Sequence, residues 1–426
     1  MTTNTTTKAV VLTAAAVLAG TGAVATVAGA SASTSSSPSA AASAGALHGG
    51  HGDPVIRDVA RQVLDSGAPG YMTRIDDGRR VALSTSGVAD RDTGRRLKAT
   101  DQFEIGSNTK TFTAALTLQL VDRRQVKLDA PIEKYLPGVV PNGQNITVRM
   151  LLNHTSGLFN YTADEKFAEG LIGDPQRVWT DPELLKIAFA HEPNFAPGQG
   201  WSYANTNYTL LGMLLQQQTG QSLPELVQQR IAQPLGLKHT YFADPRATDT
   251  GPGYAHGYAV SFSTGQATYA DTSTWPVGGW AGAAGAIISD QRDLATFFSG
   301  LMQAKLFSNQ QLNEMKKTVE LPKDFPIPGG YGLGLFHIES ACGPVWGHGG
   351  DTNGHHSTAV TTENGRRTAI TDTTAGPSDL SPNQGATRFA QVAFAAQDVT
   401  TCKMLGKPVP QTVLDALHGK TPVPAS

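Results

Sequence analysis

The chain has 426 residues, 39% of them hydrophobic and 16% charged, with a formal net charge of −2. That length can bury one large core or two, and the composition fits a folded globular protein. With no run of Lys or Arg and no positive balance, the chain shows no electrostatic footprint for nucleic acid or an anionic membrane.

Residues 1–32 read as a secretory signal peptide. Lys8 precedes an apolar stretch from Ala9 to Ala19, small residues continue through Val27, and Ala28-Gly29-Ala30 and Ala30-Ser31-Ala32 both fit the cleavage pattern. The apolar run is too short and too rich in Ala to read as a membrane span. No cysteine lies near the cleavage site, which argues against a lipid anchor. Residues 33–52, rich in Ser, Ala, Gly and Pro, read as a flexible linker.

In the mature chain, Gly70 to Ile75 and Val81 to Ser84, joined through Asp76-Asp77-Gly78, are predicted to form a hairpin. Phe103 to Gly106 reads as the end of a strand or a loop. From Ser107 on, Phe112, Ala115, Leu116 and Leu120 recur at helical spacing, which predicts an amphipathic helix. Ser107 and Lys110 would then lie one turn apart on one face, amine beside hydroxyl. A serine hydroxyl becomes a good nucleophile only when a base takes its proton. A lysine can be that base if burial and the helix N-terminus lower its pKa. The S-x-x-K spacing also arises by chance about once or twice in such a chain, so it gains weight only from its company.

The middle reads as helical: Val148 to Leu152, Pro182 to Ala190, Tyr208 to Gln218 and Leu223 to Ala232, separated by turns such as Pro197 to Gly200. Strand character returns with Tyr331 to Ile338. Ser357 to Thr362 and Arg367 to Thr371 follow, joined by Glu363-Asn364-Gly365, and then a helix from about Ser381 to Asp398. The tail from Lys403 is short and punctuated by Pro, and is expected to be loosely attached. Strands at both ends with helices between predict a mixed α/β (α+β) domain over 53–402. Its α/β part covers about 53–115 and 280–402, its helical part about 116–279, and 403–426 is the tail. Cys342 and Cys402 are an even pair in a chain bound for an oxidising compartment, so a disulfide is expected.

Two more motifs complete the set. Tyr203-Ala204-Asn205 falls in a loop before a helix, and His348-Gly349-Gly350 opens a Gly-rich strand. Alone each means little, since an H-x-G also occurs in the linker as His48-Gly49-Gly50. In the order S-x-x-K, Y-x-N, H-x-G they carry information. The blocks 103–112, 146–158, 203–208, 283–289, 331–335 and 347–350 extend that order over nearly the whole mature chain. The chain resembles the penicillin-recognising serine hydrolases, the class C β-lactamases and DD-peptidases. It is similar above all to the soluble secreted D-Ala-D-Ala carboxypeptidase and D-aminopeptidase or D-amidase branch.

The resemblance implies an antiparallel sheet flanked by helices with an inserted all-helical domain. It implies that Ser107 forms an acyl-enzyme, that Lys110 and Tyr203 share the proton transfers, and that Tyr203 protonates the leaving group. Asn205 would bind the substrate amide, His348 would support Tyr203, and Trp280 would border the acyl pocket or sit in the core. The oxyanion would be held by the N–H groups of Ser107 and Asp351, with Gly350 on the same strand. His154, His355 and His356 are expected to be structural. No cofactor or metal ion is implied. The expected ligands are a small peptide or amide substrate, with β-lactams as acylating inhibitors. The expected form is a secreted extracellular monomer with no nucleic-acid partner and no membrane attachment after signal cleavage.

The departures bear on substrate. The carboxypeptidase strand reads His-Thr-Gly-Thr and works with an arginine to hold a terminal carboxylate. Here Gly349 and Asp351 replace the threonines, and Phe336 stands at the arginine position. A substrate carboxylate about 4 Å from Asp351 would be repelled by about 1 kcal/mol in water and by more in a drier site. The expectation is a secreted D-stereospecific peptidase or amidase, such as a D-aminopeptidase, D-amino-acid amidase or endo-acting D-peptidase, for substrates with a neutral or cationic group beyond the scissile bond. The alternatives are a D-Ala-D-Ala carboxypeptidase that recruits Arg366 or Arg367, an esterase, or a class C-like β-lactamase. A non-hydrolytic binding protein would show damage at Ser107, Lys110 or Tyr203, and all three are intact.

Overall fold

Two stretches separated by most of the chain pair to form the main sheet. In the computed structural model, residues 53–246, 253–262, 266–323, 325–377 and 384–420 are described. The expected signal peptide and linker lie outside them. The sheet comprises β1 (Gly70–Asp76), β2 (Val81–Gly87), β3 (Val319–Glu320), β4 (Gly329–Tyr331), β5 (Phe336–Ser340), β6 (Gly343–Asp351), β7 (His356–Thr361) and β8 (Thr368–Thr373). Its spatial order is β2-β1-β8-β7-β6-β5-β4-β3, antiparallel throughout. β1 joins β8 with Tyr71 opposite Thr373 and Asp76 opposite Thr368.

The stretch expected as one strand, Tyr331 to Ile338, is a hairpin instead, with Phe336 opposite Tyr331. Its glycines serve a close approach rather than a pleat. Gly334 has φ +72°, and a Cβ there would lie 2.5 Å from the Ala114 side chain.

Around the sheet lie α1 (Pro54–Asp65), α2 (Thr109–Asp122), α3 (Asn205–Thr219), α4 (Gln291–Met302), α5 (Gln384–Leu405) and α6 (Gln411–Leu417). Alternation along the strands splits the core in two. Tyr71, Ile75 and Val360 meet Val59, Val63, Val392 and Val399 from α1 and α5. Met72, Ala359 and Ile370 turn the other way, toward Phe112, Phe297 and Leu301. The described part of the expected loose tail, residues 403–420, is part of the first layer: α5 continues through Lys403 to Leu405, and α6 buries Val413 and Leu417 in the same cluster, while 421–426 lie outside the described residues. Apolar residues at helical spacing, with Pro410 at the N-cap, make this segment a docked helix. Cys342 and Cys402 are bonded, tying the β5–β6 turn to α5.

The part inserted between β2 and β3 is mainly helical and also holds short strands. Ile287–Ser289 pairs with Phe103–Glu104 and Tyr241–Phe242, and Tyr258–Ser261 pairs with Thr268–Asp271 and Ala375–Pro377. α2 departs from the expected amphipathic pattern, being buried all round from Thr109 to Leu120. Its threonines make this tolerable because their hydroxyls are satisfied: Thr111 donates to Gly334 O (2.7 Å), Thr113 to Ala283 O (2.7 Å) and Thr117 to Thr113 O (2.9 Å). Among the described residues, no helix is long and apolar enough to cross a membrane, and no group of three metal-ligating side chains is placed to hold an ion.

Candidate active site

Ser107 sits on the 3₁₀ turn Gly106–Asn108, which feeds directly into α2. The helical spacing brings Lys110 Nζ to 2.9 Å from Ser107 Oγ, as the sequence suggests. Lys110 Nζ is also 2.7 Å from Asn205 Oδ1, at the start of α3, and 2.8 Å from Ala284 O. Burial alone pulls its pKa well below the ordinary lysine range. A neutral amine has two N–H bonds and one lone pair. Asn205 Oδ1 and Ala284 O can only accept, so they take the two N–H bonds and leave the lone pair for the Ser107 hydroxyl.

Asn205 is anchored as well, its Nδ2 donating to Thr162 Oγ1 (3.1 Å) and its N–H to Asn160 Oδ1 (3.0 Å). With both ends of its amide engaged, it orients Lys110. The Tyr203 ring lies 4.8 Å from Lys110 Nζ. Its hydroxyl is buried without a hydrogen-bond partner of full geometry. Burial raises its pKa well above 10, with Ser107 as the neighbour that favours ionisation.

His348 departs from its expected contact. Its Nδ1 donates to Gly349 O (2.5 Å), which leaves Nε2 to accept from the Tyr331 hydroxyl at 3.1 Å. The Tyr203 ring centroid is 6.3 Å away. Burial, aided by the Lys110 charge, pulls the His348 pKa down to about 3, so the ring is neutral in ordinary conditions. Tyr331 is therefore a site residue that the sequence reading treated only as part of a strand. Phe336 packs against it with ring centroids 4.5 Å apart.

β5 pairs with β6 only as far as Gly347, so residues 348–351 leave one edge of β6 open. That edge adjoins the nucleophile turn. A Cβ on Gly106 would lie 2.7 Å from Asp351 N, and one on Gly350 would lie 1.9 Å from Ile105 O. The backbones of Ser107 and Asp351 are thus held side by side.

The Asp351 carboxylate has a partner that the sequence did not suggest. Oδ1 is 2.6 Å from His356 Nδ1, in register across the β6–β7 hairpin, and Oδ2 is buried and unpartnered. Burial works against charge on His356, but the Asp351 carboxylate outweighs it and raises the pKa. His355 is fully buried against Asp372, Nδ1 to Oδ2 at 3.1 Å. Trp280 packs against Phe167, and its carbonyl accepts from Tyr161 Oη (3.0 Å).

Arg366 and Arg367, candidates for holding a substrate carboxylate, stand beyond the opposite end of β7 from His356. Six strand residues put them about 20 Å from Asp351, and Arg367 Nη1 donates to Leu405 O at 2.8 Å. They do not serve this site.

A family model described as Beta-lactamase matches residues 56–393. Among solved structures, a D-stereospecific amidohydrolase from Streptomyces sp. is 39% identical with a TM-score of 0.69, over 76% of this chain and 95% of that one. A D-amino acid amidase from Ochrobactrum anthropi SV3, complexed with L-phenylalanine, is 26% identical with a TM-score of 0.69, over 82% of this chain and 98% of that one. The esterase EstB of Burkholderia gladioli is 32% identical over 45% of this chain and 50% of the esterase. The chain spans about half or less of the length of these first curated relatives.

Proposed function

The chain belongs to the β-lactamase family of serine hydrolases, and from that membership we propose that it is a secreted D-stereospecific amidase or peptidase. The observation that carries the reading is the Lys110 amine, 2.9 Å from Ser107 Oγ with its other polar neighbours able only to accept. Neutral Lys110 takes the Ser107 proton as Oγ attacks the carbonyl, and the N–H groups of Ser107 and Asp351 receive the developing oxyanion. Tyr203 delivers a proton to the leaving nitrogen, giving an acyl-enzyme that water then releases. Neutral His348 and Tyr331 form the wall behind Tyr203. Secretion is supported by the signal-like segment 1–32 and by the Cys342–Cys402 bond.

Similarity to the D-amidohydrolase and the D-amino acid amidase supports D-stereospecificity. The group beyond the scissile bond meets Asp351, with Phe336 where a carboxylate-binding arginine would be needed. His356 offsets part of the Asp351 charge but leaves Oδ2 bare. A neutral or cationic leaving group therefore fits better than a free carboxylate.

The test is a pair of acyl-D-Ala-D-Ala peptides ending in a carboxylate or a carboxamide, with Ser107→Ala as the blank. The carboxamide should be cleaved at least about fivefold faster, the ratio that about 1 kcal/mol of repulsion gives. Faster cleavage of the free acid would overturn the amidase reading in favour of a carboxypeptidase.

A further inference from the structure

His154 lies just past the short helix Val148–Leu152, with φ +64°. Glycine or asparagine is the usual occupant of such a left-handed position, because a larger side chain is strained there. Among the described residues, three other non-glycine residues share positive φ, Arg124, Asn142 and Ala304, and His154 differs from them in being fully buried. An ill-suited residue kept in the core suggests that its side chain has work to do.

Its bonds bracket one residue. The carbonyl of His154 accepts from Ser202 N–H (3.1 Å), and its Nδ1 accepts from Ala204 N–H (3.1 Å). Tyr203 lies between those two donors, with its ring centroid 4.3 Å from the imidazole. Asn207 Nδ2, 3.1 Å from the same Nδ1, fixes the ring from α3. Because Nδ1 accepts, the proton sits on Nε2, which has no hydrogen-bond partner and is walled by Tyr208, Tyr331 and Trp201. The Tyr203 hydroxyl has Ser107 as a neighbour but makes no full hydrogen bond. The contacts from His154 hold it from behind, through backbone and ring face.

We propose that His154 is a positioning residue that holds the Tyr203 phenol at the height needed to protonate a leaving nitrogen. The proposal rests on the assignment of Tyr203 as that proton donor. It predicts a dependence on leaving group that a general loss of structure would not produce. When an anilide is cleaved, the C–N bond breaks as nitrogen takes the phenol proton and aniline departs. When a p-nitrophenyl ester is cleaved, the C–O bond breaks and p-nitrophenolate departs with the electron pair, needing no proton.

The experiment compares both substrates, carrying the same D-acyl group, in wild type, Tyr203→Phe, His154→Gly and His154→Asn, with thermal melting of each. Glycine suits the backbone and removes both the acceptor and the ring, whereas asparagine keeps an acceptor near the Nδ1 position. Tyr203→Phe should lower the anilide rate by about 100-fold and the ester rate far less. His154→Gly should lower the anilide-to-ester ratio by about tenfold or more, and His154→Asn by a smaller factor. An unchanged ratio in either folded His154 variant, beside a lowered ratio in Tyr203→Phe, overturns the proposal. If Tyr203→Phe itself leaves the ratio unchanged, the Tyr203 assignment fails instead.

Discussion

The reactivity proposed for Lys110 comes from burial among groups that can only accept its protons or offer it one. A lysine pKa lowered by burial leaves the competent neutral amine populated at every pH above the lowered value. The acid limb of kcat/KM should therefore rise at a pH below the ordinary lysine range. His348, held down to about pKa 3, contributes nothing to that limb. Profiles of wild type and His348→Gln should share the limb, whatever the drop in height. A limb that vanished with His348, or that sat where exposed lysines titrate, would sink this assignment. The Ser107–Lys110 pairing was legible in the sequence because one helical turn fixes it. His356 on Asp351 and Tyr331 on His348 were not, because strand register decides which residues meet, across the β6–β7 hairpin in one case and across β5 in the other, and sequence spacing does not state register. His154 was read as structural, and its left-handed backbone, visible only in the fold, is what marks it out.

At the scale of elements, the site is a seam between the turn that carries Ser107 and the open edge of β6. Gly350 is the residue that lets them touch, since a Cβ there would lie 1.9 Å from Ile105 O. Gly350→Ala should force β6 away from Ser107 and misplace the Asp351 N–H. Losing one such donor typically costs about 10²–10³ in kcat. Because the oxyanion forms whatever the leaving group, anilide and ester rates should fall together. A Gly350→Ala enzyme with a normal ester rate would show that the Asp351 N–H does not serve as a donor. The hairpins of β1–β2 and β7–β8 were readable from turn residues between apolar runs. The β4–β5 hairpin was not, because the alternating glycines of 331–335 mimic a strand while Gly334 actually clears space for α2 and Gly332 for Met315. α2 itself misled for a related reason: threonines look like a polar face, yet Thr111, Thr113 and Thr117 each find a buried acceptor and Thr109 accepts from Ile287 N–H.

For the whole molecule, the Cys342–Cys402 bond clips α5 to the sheet across 60 residues. A loop of that length corresponds to about 4 kcal/mol in the chain-entropy model. Cys342→Ala with Cys402→Ala should lower the stability by that order in urea titrations. Cys342 lies at the far end of β6, roughly 25–30 Å from Asp351 by strand rise, so turnover of the folded fraction should be unchanged. A loss of turnover without a loss of stability would mean that the bond reaches the site. The two-ended assembly of the domain could be read from where strand patterns fall, whereas the docking of α6 could not, because Pro residues in the tail suggested an end rather than a cap.

The pairing of β1 with β8 also sets a timetable. Thr73 donates its hydroxyl to Ile370 O, a partner 297 residues later in the chain. At about 5–20 residues per second, roughly 15–60 s of synthesis separate the two. Through that interval the β1–β2 hairpin has no neighbour on one side, and neither layer of the core can close. The sheet therefore cannot be completed until almost all of the chain exists, so folding during synthesis stops short of its central pairing.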